Sequence, residues 1–270
     1  MSNQYAWGNT EDERQRLASQ GDALRPATRR LFQAAGIGPG MHVLDCGSGA
    51  GDVSIIAAEL VTASGRVLGI DRDAGSVEAA NRRVRGIGLS HAHFEIADIS
   101  SPPDGPFDAI VGRLVLMYQP DVEPVLRALA DRLDQGGVMA FMEYEHHPPN
   151  QVLMWPRSPS VDQLVAWMDA TFEVLNHQAH MGTRLPSLLR SVGLEPQPPY
   201  EVTGAVYTGA TVLEHETTLV QNLSPLLTAH GIASEHETDI GAFAERVGHD
   251  LGPEPVLVSG PHLSVWARKP

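Results

Sequence analysis

The chain has 270 residues with 33 acidic and 19 basic side chains, a formal charge of −14 that disfavours a phosphate-backbone partner over most of its surface. A single cysteine, Cys46, excludes an internal disulfide framework and a multi-cysteine zinc site. No apolar run approaches the roughly 18–20 residues that span a bilayer, and the polar, acidic opening MSNQYAWGNTEDERQRLASQ does not read as a secretory signal, so a cytoplasmic location is expected.

Residues 1–36 read as a helical leader of two helices, with Leu24, Thr28, Leu31, Phe32 and Ala35 forming one amphipathic stripe that ends at Gly36. Residues 37–270 read as one domain. HVLD (42–45) is a short apolar strand, and GDVSIIAAELVT (51–62) follows it with helical spacing. RVLGID (66–71) is a strand and AGSVEAANRRVR (74–85) a helix, whose NRRVR run reads as a solvated face. HFEIAD (93–98) and FDAIVGR (107–113) are strands. DVEPVLRALADRL (121–133) places Val122, Val125, Leu126, Leu129 and Leu133 on one helical face, and GVMAFMEYE (137–145) is the fifth strand. This alternation predicts a parallel sheet covered on both faces, with ligands at the carboxyl ends of the strands. Two insertions interrupt it. About 146–180 opens with prolines and turns helical, as a lid would, and about 210–252 is helical and acidic. A helix (183–192) and closing strands at 200–209 and 262–269 complete the chain.

The stretch VLDCGSGAGD (43–52) turns the first strand into the first helix through Gly47, Ser48, Gly49 and Gly51. Glycines there let the backbone pass against a ligand and adopt positive φ. A dinucleotide loop has the spacing G-x-G-x-x-G. Here the spacing is G-x-G-x-G, and Asp45 stands two residues before it. An acid at that point repels a pyrophosphate and attracts an ammonium. Asp71 ends the second strand, where a carboxylate can accept both hydroxyls of a ribose. Asp98 ends the third, where it can hold an exocyclic amine of adenine. Each acid alone also reads as a helix cap. Together they describe a ligand with an ammonium, a ribose and an adenine but no phosphate, which is S-adenosylmethionine.

The run from GMHVLDCGSGAGD through LGIDRD, HFEIADI, FDAIVGRLVLMY and LDQGGVMAFMEYE resembles a class I S-adenosylmethionine-dependent methyltransferase of the bacterial small-molecule group, which acts on quinones and secondary metabolites. The resemblance covers 37–145 well and is less distinctive to 270. It implies an α/β, Rossmann-like, seven-stranded sheet of order 3-2-1-4-5-7-6 with the last strand antiparallel. It also implies cofactor contacts at Asp45, Gly47, Ser48, Gly49, Gly51, Asp71, Arg72, Asp98, Ile99 and Arg113. A similar leader folds over the cofactor in that group, which adds Tyr5 and Gln20. Arg72 departs from the usual apolar residue and would stack through its guanidinium plane. Arg113 either approaches the cofactor carboxylate or carries a structural hydrogen bond. The fourth strand lacks the D/N-P-P-[YFW] motif of many enzymes that methylate bases or glutamine.

The implied reaction is methyl transfer to a small-molecule acceptor, first of all a hydroxyl or enol oxygen of an apolar, natural-product-like substrate. Carbon or nitrogen as the accepting atom stays open, as does a non-methylating reaction such as cyclisation. A homodimer is compatible with this reading; a nucleic-acid or membrane partner is not expected. A base is sought at the ends of strands four and five or on the lid. His146, His180 and Glu143 are the candidates, with Glu145, His147, His177 and Tyr118 as further options. His146 and His147 before two prolines also read as an exposed turn, His180 as a cap, and Glu143 as a pocket wall. EYEHH has metal-ligand residue types but lacks an Asp-Asn pair, so no metal is expected. Met154, Trp155, Trp167, Met168, Phe172 and Met181 read mostly as core.

Overall fold

The computed structural model describes residues 11–148 and 151–270, without the side chains of residues 11–20. Helix α1 (Glu11–Ala34) is continuous, which corrects the two helices read from the leader as far as the described residues go. Pro26 inside it lacks one N–H, but the stripe Leu24, Ala27, Thr28, Leu31, Phe32 and Ala35 is buried throughout and holds the helix together. Next come β1 (His42–Cys46), α2 (Asp52–Val61), β2 (Arg66–Asp71), α3 (Ala74–Gly86) and β3 (Ala92–Ile96). They are followed by β4 (Phe107–Arg113), a 3-10 turn (Leu116–Tyr118), α4 (Val122–Arg132) and β5 (Leu133–Tyr144). The remainder is β6 (Leu153–Trp155), α5 (Pro159–Val174), α6 (Met181–Ser191), β7 (Glu195–Pro196), β8 (Glu201–Thr203) and β9 (Val206–Thr208), then α7 (Ala210–Ala229), α8 (Ile240–Leu251), β10 (Val256–Val258) and β11 (His262–Arg268).

The chain divides into two compact units. The larger comprises residues 20–145, 180–203 and 262–270. Its sheet has the order β3-β2-β1-β4-β5-β11-β7, with β8 also paired to β11. The strands β1 to β5 are parallel, and β11 runs antiparallel to β5 and β7. Leaving out the short β8, this is the 3-2-1-4-5-7-6 order with the last strand reversed, a Rossmann-like sheet. The strands β1 and β4 are buried along nearly their whole length, which is why they read as apolar runs. One face packs on α1, α2 and α3 in a single core that includes Phe32, Val43, Ile56, Val77, Phe94, Val111 and Met142. Asp73 caps α3 by accepting from the Ser76 N–H at 2.7 Å.

The smaller unit comprises 146–179, 204–261 and the beginning of α1 through Ser19. A three-stranded antiparallel sheet, β6-β10-β9, turns Leu257 toward a core with Leu164 and Trp167 of α5, Val220 and Leu227 of α7, and Phe243 of α8. Of these strands only β9 falls within an expected one, and β6 and β10 were not expected. The 200–209 segment is not one strand: Gly204 and Ala205 divide it, sending β8 into the large sheet and β9 into the small one. Trp155 is 75% exposed on the outer face of β6, whereas Trp167 and Phe172 are buried as expected. Asp250 ties the start of α5, accepting from Ser158 Oγ at 2.7 Å and the Ser160 N–H at 3.2 Å. Among the described residues no helix is long and apolar enough to cross a membrane.

Glu216 of α7 is buried, with His215 Nε2 4.0 Å away, and burial pushes its carboxyl up to about 8. The unfolded chain therefore ionises first. Stability contributed by this group is full below about pH 4.5 and is lost as pH rises toward 8. Glu216→Gln should remove that loss, on the order of a few kcal/mol. Urea midpoints of the two proteins at pH 5 and pH 8.5 check it; equal pH slopes would refute it.

Candidate functional site

The glycine loop leaves β1 at its carboxyl end. Gly47 has φ +65, and a Cβ there would lie 2.4 Å from Val115 Cγ2, so the loop is pressed against the segment after β4. Gly49 has φ +50 and nothing within 4 Å of its Cβ direction, so a ligand can approach its backbone. Gly51 caps α2 in a left-handed conformation.

Asp45, on β1 two residues before the first glycine, is fully buried. Its Oδ2 accepts from Ser54 Oγ at 2.5 Å, and its Oδ1 has no hydrogen-bond partner. Burial pushes the carboxyl up to about 7, against the Ser54 hydrogen bond and the charge of Arg113; Asp71 adds to the rise. The Ser48 hydroxyl is also buried and unpartnered. Asp71 ends β2, with Oδ2 accepting from the Gly49 N–H and Oδ1 from the Asp73 N–H, both at 2.9 Å. Asp98 lies two residues beyond β3 rather than at its end. Its Oδ1 accepts from the Ser100 N–H at 2.8 Å and the Ser100 hydroxyl at 2.7 Å, and its Oδ2 is 3.7 Å from Arg72 Nη1. Burial raises that carboxyl, but the Ser100 hydrogen bonds and Arg72 bring it below its ordinary value. Ile99 beside it is buried. Arg113 ends β4 and donates from Nη1 to Thr28 Oγ1 at 3.1 Å. Burial lowers its pKa, opposed by Asp52 and Asp45. Tyr5 lies outside the described residues, as does the side chain of Gln20 on α1. An unpartnered carboxylate oxygen just before an open glycine loop, with a second acid on the loop's own backbone, suits a ligand that brings an ammonium and a ribose.

The candidate bases fall in different surroundings. Glu143 is fully buried and accepts from the N–H groups of Val115, Leu116 and Met117 at 3.0, 2.9 and 3.3 Å. Burial raises its carboxyl to about 7 in spite of those three donors. Glu145 is buried at the end of the same strand. Its Oε1 is 2.9 Å from His180 Nδ1, and its Oε2 accepts from the Thr183 N–H at 2.8 Å. The side chain that caps α6 is thus Glu145. The His180 side chain makes no cap hydrogen bond; its ring is 58% exposed. His146 belongs to the smaller unit and is buried, not part of an exposed turn. Its Nε2 is 2.8 Å from Asp169 Oδ1, and its ring stacks at a tilt on Phe172. His147 Nδ1 is 3.4 Å from Gln151 Oε1. Burial lowers the pKa of His177, and Tyr118 closes the 3-10 turn. Among the described residues no group of three or more His, Cys, Asp and Glu side chains is placed to hold a metal ion.

Four residues at the carboxyl edge were missed: Tyr144, Thr203, His262 and Ser264. In register, Tyr144 faces His262 and His262 faces Thr203, with Ser264 one pair further in. The strand β11 runs antiparallel, so its first residue lies at the edge where the parallel strands end. Only that reversal, joined to the run HLS at 262–264, could have flagged them.

A family model described as a methyltransferase domain matches residues 37–193. Aklanonic acid methyltransferase DauC of Streptomyces sp. (strain C5) is 36% identical over 118 residues, 43% of this chain and 54% of that protein. The chain thus spans about half the length of this curated relative. Among solved structures, the YcgJ protein from Bacillus subtilis superposes with a TM-score of 0.60 at 17% identity, covering 90% of this chain and 98% of that one. The cyclase SpnF gives a TM-score of 0.57 at 20% identity, covering 92% and 82%. These two similarities concern the fold. Together with the matched domain and the acids and glycines around 45–51, they make the chain a member of the class I S-adenosylmethionine-dependent methyltransferase family.

Proposed function

We propose that the protein transfers the methyl group of S-adenosylmethionine to an oxygen, hydroxyl or enol, of a small apolar molecule. The observation that carries this reading is the buried, unpartnered Oδ1 of Asp45, at the start of a loop whose Gly49 is open to a ligand. When bound, S-adenosylmethionine supplies an activated methyl group on a sulfonium. Asp45 holds the ammonium end, and the Gly49 backbone lets the ligand pass. Asp71 exchanges its loop contacts for ribose hydroxyls, Asp98 and Ile99 flank the adenine, and Arg113 favours the carboxylate. Glu143 holds the turn after β4 in shape. His180, with Nδ1 committed to Glu145, keeps Nε2 for the proton of an acceptor hydroxyl. The relative DauC is named for aklanonic acid, which supports a small-molecule acceptor. The formal charge of −14 supports a protein without a nucleic-acid partner.

Calorimetric titration tests the reading. S-adenosylmethionine and S-adenosylhomocysteine should bind at micromolar concentration and NAD should not. Labelled methyl groups should then pass to phenols or enols in a screened panel. Absence of binding would overturn the cofactor site. Binding without methyl uptake by any phenol, enol or amine would redirect the reading to a non-methylating reaction.

A further inference from the structure

The carboxyl edge of the large sheet carries a second polar patch. Tyr144, His262 and Thr203 face one another across β5, β11 and β8, and Met142, Ser264 and Glu201 form the row behind. Arg113 faces Met142, and Val111 faces both Asp45 and Ala140. Residues opposite one another on neighbouring strands share a face, and alternate residues along a strand do too. Arg113, Tyr144, His262, Ser264 and Thr203 therefore rise from the same face of the sheet as Asp45.

Three atoms in this patch are buried without a hydrogen-bond partner: His262 Nδ1, Ser264 Oγ and Thr203 Oγ1. His262 is 6% exposed and Ser264 3%. The Tyr144 ring lies 5.5 Å from the imidazole. A folded core rarely leaves one such group unmatched, and three adjoining ones at the edge where ligands bind imply a guest that matches them. Burial, with the charge of Arg113, lowers the imidazole pKa to about 4 against a hydrogen bond to the Thr203 backbone, so the ring is neutral and keeps one bare lone pair for a guest. The cation of the patch, Arg113, is already hydrogen-bonded to Thr28 and lies in the field of Asp52 and Asp45. Glu201 is engaged by Arg30 of α1. The patch thus has no spare charge for an anion and suits a neutral group that both donates and accepts.

We propose that His262, with the hydroxyls of Ser264 and Thr203, binds the neutral hydroxyl of the methyl acceptor, a phenol or enol. The proposal rests on the methyltransferase reading and narrows its acceptor. The three residues hold the acceptor by a hydroxyl and take no part in holding the cofactor.

The test uses the full-length protein saturated with S-adenosylhomocysteine, labelled with nitrogen-15 at histidine, and titrated with phenol up to its solubility limit. The His262 Nδ1 resonance should move, and His262→Leu should weaken phenol binding about five- to ten-fold. S-adenosylhomocysteine affinity should stay within about two-fold of wild type, since His262 is not among its contacts. Ser264→Ala and Thr203→Val keep the question answerable should His262→Leu fail to fold. Each should weaken phenol and raise Tm, because each deletes an unmatched buried group. An unmoved His262 resonance would mean that the patch holds internal water only, and would overturn the proposal. So would unchanged phenol affinity in the variants. Failure of wild type to bind S-adenosylhomocysteine would instead strike the methyltransferase reading.

Discussion

Asp45→Asn is expected to weaken S-adenosylmethionine and S-adenosylhomocysteine by about 100-fold or more. The substitution keeps the shape and an oxygen for Ser54, which now donates to the carboxylate at 2.5 Å. What it removes is the charge that would pair with an ammonium in a site shielded from water. Breaking such a buried pair costs roughly 3–5 kcal/mol, which corresponds to about 10²–10³ in affinity. Burial holds the free carboxyl at about 7, so binding must ionise it. The wild-type affinity should therefore fall as pH drops below about 7, and cofactor binding near pH 6 should release a proton. In the free protein the same elevation acts on stability in the opposite direction. The contribution of Asp45 is full below about pH 3.8 and lost as pH rises toward 7, until the ligand compensates the charge. Calorimetry in two buffers of different ionisation enthalpy measures affinity and proton release together. Equal affinities for Asp45→Asn and wild type would remove Asp45 from the site. A flat pH profile in wild type would show that the carboxyl is ionised already.

Glu143→Ala should destabilise the larger unit by roughly 4 kcal/mol or more. The carboxylate is the acceptor for three consecutive N–H groups, those of Val115, Leu116 and Met117, and all of them lie in the interior. Alanine strands all three and leaves a cavity, and an unmatched buried donor costs about 1–3 kcal/mol. Glu143→Gln keeps one carbonyl oxygen and should lose roughly half as much. Urea unfolding measures both. The damage should reach the glycine loop as well, because Val115 in this turn packs where a Cβ on Gly47 would stand. A folded Glu143→Ala protein should therefore bind S-adenosylhomocysteine more weakly. A midpoint unchanged from wild type would show that the turn holds without its acceptor.

The first five strands were legible because buried parallel strands leave apolar runs closed by glycines and acids, as VLDCGSGAGD and VLGID do. The acids Asp45 and Asp71 were legible by their place at strand ends. The rest depended on partners remote in sequence. The strands β6 and β10 have three residues each, and β10 pairs with segments about 50 and 100 positions away, whereas β9 was read, but as one strand with β8. Periodicity has nothing to register in so short a run. His146 read as a turn residue because the prolines follow it, yet Asp169 and Phe172 on α5 bury its ring. His180 read as a cap, yet Glu145, thirty-five residues earlier, supplies the capping oxygen. His262 became visible only when the reversed strand placed it opposite Tyr144.

The smaller unit bears on how this chain can be recombined. Its sheet is stitched from three strands on separate stretches of chain, with β10 seated between β6 and β9. Exchanging only 146–179 with a relative would put a foreign β6 against the native β10 and mismatch α5 against α7 and α8. Exchanging only 204–261 would do the converse. The two stretches are a single unit of inheritance written in two places, so a chimera that keeps this unit folded has to transplant both at once. Conventional single-crossover recombination within 180–203 would separate them and yield chains whose short strands lack a matched neighbour.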